Sequence, residues 1–128
     1  MAYPILDSLA AGKTVTDVNP ILFSVFHPTV QPYLLTWFKY DPSQLIQALT
    51  IPTLIIQGTK DLQVAVKDAE LLHAAQPKSK LLIIENMNHV LKDAPADAKQ
   101  NMATYSDPNL PIKPELANGI TDFINKIK

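Results

Sequence analysis

Apolar residues along this chain switch between two periods. In "TLIIQ" (53–57) and again in "KLLIIE" (80–85) they run nearly unbroken and are rich in β-branched types. Such a run suits a short strand covered on both faces, as in a parallel sheet. Between them, "VAVKDAELLHAA" (64–75) repeats with helical spacing. Val66, Ala69, Leu72 and Leu71 are placed on an inner side, and Lys67, Asp68 and Glu70 on an outer one. Strand, helix and strand in this order predict a parallel pair joined by a right-handed crossover. A last amphipathic helix is predicted over "PELANGITDFINKI" (114–127), with Pro114 and Glu115 in its first turn.

Proline punctuates the remainder. The chain has 11 prolines against 3 glycines, and none of the prolines falls between 53 and 76. Each fixes φ and removes a backbone donor, so residues 1–52 are predicted as short, interrupted helices. "TDVNPILFSVF" (16–26) opens on a Thr/Asp cap signal, and "HPTVQPYLLTWFKY" (27–40) restarts after Pro28 and Pro32. "DPSQLIQAL" (41–49) has Asp41 as N-cap with Pro42 in the first helical position. Residues 86–113 are predicted as a long loop with a helical turn near 95–104. Loops of that length are uncommon unless they have a task.

Composition narrows the function classes. The 128 residues carry a net charge of −1, with Lys and Arg scattered. No electrostatic case arises for nucleic acid or an anionic membrane. No apolar run nears the roughly 20 residues that span a bilayer. The first residues, "MAYPILDSLAAGK", lack a basic start and are interrupted by Asp7, which makes a poor signal peptide. A cytoplasmic location is the default expectation. With no cysteine, disulfides, thiolate metal sites and a cysteine nucleophile are excluded together.

The candidate chemistry lies just past the two strands. Gly58-Thr59-Lys60-Asp61 follows the first, and Asn86-Met87-Asn88-His89 follows the second. Functional groups in open parallel sheets gather outside these strand ends. Neighbouring strands lie about 4.8 Å apart, so the turns leaving them can bring Asp61 and His89 into hydrogen-bond contact. A carboxylate on one imidazole nitrogen fixes the tautomer and leaves the other nitrogen as a base.

"IPTLIIQGTKD" followed by "KLLIIENMNHVL" resembles the C-terminal part of an α/β-hydrolase. In that family the triad acid follows a G-x-x-D turn and the histidine a G-M-N-H turn, in the chain order Ser, Asp, His. The resemblance assigns the acid to Asp61 and the base to His89. Asn86 stands where glycine is common, and Asn tolerates left-handed backbone. The implied architecture is α/β: a partial α/β-hydrolase fold with two parallel strands, a crossover helix, cap-like N-terminal helices and a C-terminal helix. Residues 1–50 correspond to cap-derived and lead-in helices, and residues 51–128 to the C-terminal part of the core.

The nucleophile elbow G-x-S-x-G has no counterpart. Gly12, Gly58 and Gly119 are never four apart, and Ser8, Ser24, Ser43, Ser79 and Ser106 lack the flanking small residues. Acyl transfer would need a serine from outside this chain. Two classes of function follow. One is the C-terminal portion of a serine hydrolase acting on an ester or amide, inactive by itself. The other is a non-catalytic half-fold or self-associating binding module. No cofactor is implied. Strand 53–57 would have one unpaired edge, so the expected partner is the missing N-terminal half or a second copy of the chain.

Plainer roles compete at several positions. Asp61 suits the N-cap of the following helix. His27 reads as a surface or capping residue at a helix break, and His73 as solvent-facing. The three histidines lack metal-ligand spacing. Asp93 and Asp97 read as solvated loop charges. Phe23, Phe26 and Trp37, within a cluster that includes Tyr33, Phe38 and Tyr40, either pack the short helices or line an apolar substrate pocket.

Overall fold

The structure, a computed structural model, describes residues 2–127, and its chain divides into two units, residues 1–45 and 46–128. The first unit holds α1 (Tyr3–Ala10), α2 (Phe23–Phe26) and α3 (Gln31–Trp37), and α4 (Pro42–Gln47) spans the division. Its core is Ile5, Leu9, Val18 and Phe26, with Val15, Leu22, Leu34 and Leu35 packed around them. One buried amide ties its loops. Gln31 accepts from the Val15 N–H at 2.7 Å and donates to the carbonyls of Val15 and Phe26 at 2.7 and 2.9 Å.

The region predicted as one helix over 16–26 is shorter and later than its apolar spacing suggested. Asn19 sits before Pro20 with extended backbone (ψ 129°), as the proline ring requires of its predecessor. Its side chain accepts from the Ile21 N–H, a 3₁₀ turn follows over Pro20–Leu22, and α-helix is confined to α2.

The second unit is the α/β part. β1 (Leu54–Gly58) and β2 (Lys80–Ile84) pair in parallel, with Leu54 opposite Lys80 and Gly58 opposite Ile84. Both ends of the ladder are prolonged: the Lys80 N–H donates to the Thr53 carbonyl, and the Thr59 N–H to that of Ile84. α5 (Val66–Ala75) is the crossover and lies against both strands, with Ala69 buried. Ala65, at its N-cap, has no side-chain oxygen, so the first turn is closed from the other direction. The Asp68 carboxylate accepts the Ala65 N–H at 3.0 Å. Leu71, assigned to the inner side by spacing, is 49% exposed.

α6 (Ala98–Ala103) continues into a 3₁₀ turn, Thr104–Ser106, within the long segment after β2. α7 (Pro114–Lys126) packs on the sheet through Leu116, which meets Ile56, Leu82, Ile84 and Met87. Side chains alternate across a strand, so Ile55 lies on the other face. Full burial of such a side chain contributes about 1.5–3 kcal/mol, and this cluster is what holds α7 to the strands. Gly119 allows the close approach, since a Cβ there would lie 2.3 Å from Leu82 Cδ2. No helix among the described residues is long and apolar enough to cross a membrane. The second edge of β1 has no strand beside it among the described residues.

Candidate functional site

The parallel ladder ends in register at Gly58 and Ile84, so both chains leave the sheet side by side. From β1 the chain makes a tight turn through Thr59 and Lys60 to Asp61. From β2 it turns through Asn86 and Met87 to Asn88 and His89. The turns are laced together. The Lys60 N–H donates to the Met87 carbonyl at 3.0 Å, and the Asn86 N–H to the Thr59 hydroxyl at 2.9 Å. Asn86 has φ +57°, a left-handed conformation that asparagine tolerates.

These turns place His89 Nδ1 3.0 Å from Asp61 Oδ2. Asp61 is nearly enclosed, its side chain 8% exposed, while that of His89 is 41% exposed. All its oxygen capacity is directed. Oδ1 accepts from the N–H groups of Gln63 (2.8 Å) and Val64 (3.0 Å). Oδ2 accepts from Gln57 Nε2 at 3.1 Å as well as facing the imidazole. A carboxylate can only accept, so Nδ1 carries a hydrogen, and in the neutral imidazole Nε2 is then the nitrogen with the lone pair. Nε2 has no hydrogen-bond partner among the described residues.

The same contacts set the charge state. Burial pushes the Asp61 carboxyl up, but the Val64 and Gln63 N–H groups, then the His89 and Gln57 side chains, outweigh it and hold the group below the usual carboxylate range. A carboxyl depressed in the folded state adds stability above its unfolded value of about 3.9, and that contribution is lost as pH falls through the folded value. Urea unfolding followed from about pH 6 to pH 3 should therefore show an acid-side loss of stability that Asp61→Asn flattens. An equally steep acid limb in the variant would contradict this assignment.

Asp61 is not the N-cap of the following helix, a place that Ala65 takes, but it has a local structural role ahead of it. Its Oδ1 caps the Gln63–Val64 turn just ahead of α5, while its Oδ2 faces the imidazole. One carboxylate thus anchors a turn and orients a histidine with different oxygens.

A buried polar cluster lies under the His89 turn. Asn88, Asn101 and Thr104 are almost wholly enclosed. Asn88 Nδ2 donates to Asn101 Oδ1 (3.0 Å) and to Thr104 Oγ1 (2.6 Å), and Asn101 Nδ2 donates to the Lys60 carbonyl (2.8 Å). Lys92 Nζ donates to the Thr104 carbonyl at 3.0 Å. In sequence these residues sit in a polar stretch with no periodicity, where solvated side chains are the ordinary expectation. Their burial follows from α6 folding back beneath the loops, a long-range contact with no local signature.

Other candidates lie elsewhere. His73 is not simply solvent-facing: its Nδ1 is 2.9 Å from Ser79 Oγ, in a half-buried contact. The Ser79 hydroxyl donates to the Gln76 carbonyl at 2.6 Å, so its proton is held by an acceptor with no basicity and Ser79 is not poised as a nucleophile. No serine hydroxyl among the described residues contacts His89. Asp93 pairs with Lys113, and Asp97 accepts from the Gln100 N–H as the N-cap of α6. His27 bonds Thr29 at 2.8 Å and packs edge-on against Phe23.

The aromatic pocket candidates fall in the first unit. Phe26 is a member of its core. Trp37 is 60% exposed and packs edge-on against Tyr33, with ring centroids 5.0 Å apart. No group of three or more metal-ligating side chains occurs among the described residues.

Set beside known proteins, the chain is 27% identical over 99 residues to esterase EstD of Thermotoga maritima. The match takes in 67% of this chain and 24% of the esterase, so the chain spans about a quarter of the length of the curated relative it matches. No family model matches, and no solved structure matches significantly. The relationship is thus to a hydrolase, and the parallel strands flanked by helices are of the α/β kind.

Proposed function

We propose that this chain is the C-terminal portion of a serine hydrolase of the α/β-hydrolase fold, in which Asp61 and His89 are the triad acid and base. The observation that carries it is the 3.0 Å contact between a nearly enclosed, multiply bonded carboxylate and the Nδ1 of an exposed imidazole whose Nε2 is unengaged. The likeness to an esterase supports an ester, or the related amide, as the bond attacked. The serine comes from outside these 128 residues, carried on a segment or chain that lies along the open edge of β1. Residues 1–50 correspond to cap-derived helices.

The chemistry needs side chains only. His89 Nε2 takes the serine proton as the serine oxygen attacks the carbonyl carbon. Asp61 stabilises the resulting imidazolium through Nδ1–H. The imidazolium then returns its proton to the departing alkoxide or amine as the acyl-enzyme forms. Water repeats the sequence: Nε2 removes its proton, the acyl–oxygen bond breaks, and the serine is reprotonated.

A fluorophosphonate probe tests this directly. The 128-residue chain alone should remain unlabelled, and an assembly in which it meets a nucleophile-bearing segment should be labelled. His89→Ala in that assembly should suppress labelling. Label on the chain alone would mean that one of its own serines is activated. Full labelling of the His89→Ala assembly would remove His89 from the triad.

A further inference from the structure

We propose that Asn101 is a positioning residue that sets the distance between Asp61 and His89. The two groups are 28 residues apart in the chain and sit on separate turns, so their contact is only as well defined as the turns are relative to each other. Asp61 is fixed locally by two backbone N–H groups and Gln57. His89 has no comparable local support. Its turn has non-glycine residues at positive φ on both sides, Asn86 at +57° and Leu91 at +65°. A leucine is held there only where its surroundings over-determine the backbone.

The Lys60–Met87 and Asn86–Thr59 hydrogen bonds join the turns near the strand ends, and Asn88 and Asn101 extend that hold to the residues next to Asp61 and His89. Asn88, immediately before His89, closes the turn on itself: its N–H donates to the Lys92 carbonyl (3.0 Å), and its Oδ1 accepts the Lys92 N–H (3.1 Å). Its Nδ2 then reaches Asn101 Oδ1. Asn101 Nδ2 in turn donates to the carbonyl of Lys60, the residue immediately before Asp61. Two side-chain amides therefore join the residue preceding the acid to the residue preceding the histidine. This bridge runs beside the Asp61–His89 hydrogen bond.

The orientation of both amides is forced. The Lys60 carbonyl can only accept, so Asn101 must turn its NH₂ toward it. That leaves Asn101 Oδ1 for Asn88 Nδ2, and Asn88 Oδ1 for the Lys92 N–H. Aspartate at 101 would set an acceptor against a carbonyl, and an apolar residue would break both links. Both amides are fully enclosed, and neither bonds to bulk water.

The test reads His89 itself, by ¹⁵N and ¹H NMR of the imidazole in the 128-residue chain. The original chain should show a protected Nδ1-bound proton. Asn101→Ala should lose it to exchange with water while the other amide signals remain dispersed. Ile55→Ala, which thins the core on the other face of the sheet, should keep it at matched folded fraction. Retention of the proton in Asn101→Ala would overturn the proposal, as would equal loss in Ile55→Ala. Should Asn101→Ala not fold, Asn101→Leu keeps the bulk of the side chain while breaking both links, and retention of the proton there would overturn it too. The consequence for turnover rests on the hydrolase function proposed above. In the assembled enzyme Asn101→Ala should lower kcat by about 10- to 100-fold with KM little changed. Loss of the proton with kcat unchanged would show that turnover does not depend on the Asp61–His89 contact, and would leave the positioning role standing.

Discussion

In the assembled hydrolase, Asp61→Asn is expected to lower kcat/KM by about four orders of magnitude, with His89→Ala at least as damaging. The reason lies in which atoms the carboxylate engages. Oδ2 accepts from both His89 and Gln57, while Oδ1 is saturated by the N–H groups of Gln63 and Val64. An asparagine must keep its oxygen toward those two N–H groups, because its NH₂ cannot accept from them. The NH₂ then faces His89 Nδ1 and demands the lone pair there. The imidazole hydrogen moves to Nε2, which can no longer act as a base. Four decades correspond to about 5.4 kcal/mol of lost transition-state stabilisation. The variant should fold, since the shape and the capping bonds are retained. Rates on a simple aryl ester, taken with circular dichroism of the same samples, decide it. A folded Asp61→Asn enzyme with an undiminished rate would exclude Asp61 from the chemistry.

What could be read from sequence was whatever has a local cause. The unbroken apolar runs located both strands, because burial on two faces leaves no polar positions to interrupt them. β1 runs Leu54–Gly58 rather than 53–57: Thr53 meets the ladder through its carbonyl alone, and the pairing extends through Gly58. Pro42 and Pro114 marked the starts of α4 and α7 because a missing N–H costs nothing in a first turn. The placement of Asp61 and His89 at adjacent strand ends followed from parallel pairing. Harder to see were features that depend on distant partners. Asn101 and Thr104 look like any solvated loop residues until α6 is folded beneath them. Leu71 has the spacing of an inner residue, but α5 presents too narrow a face to the two strands to cover it. Asn19 ended a plausible helix through its neighbour Pro20, an effect that periodicity does not register.

Gly58→Ala should be the most damaging of the single-methyl substitutions at glycine, because the three glycines are glycine for different reasons. Gly12 has φ +78° with nothing within 4 Å of an added methyl, so alanine there meets only backbone strain, about 1–2 kcal/mol. At Gly119 the methyl would meet Leu82 Cδ2 at 2.3 Å, but that is the tip of a side chain, which can turn aside. At Gly58 the methyl would lie 2.0 Å from the carbonyl oxygen of Met87 and 2.6 Å from its carbonyl carbon. Those are backbone atoms, and the Met87 carbonyl is also the acceptor for the Lys60 N–H. The two strand-end turns can separate only by breaking that bond and pulling Met87 from the cluster it shares with Ile84 and Leu116. Overpacking alone costs about 1–3 kcal/mol, and the lost hydrogen bond about another 1 kcal/mol. Together they are a large part of the marginal stability of a small domain. Amide exchange across β1 and β2 is the suitable readout, since the single tryptophan, Trp37, belongs to the first unit and does not report on the strands. Protection there should collapse in Gly58→Ala and fall only modestly in Gly119→Ala and Gly12→Ala. Protection preserved to within about 1 kcal/mol in Gly58→Ala would mean that the two strand-end turns can yield at the contact of Gly58 with Met87.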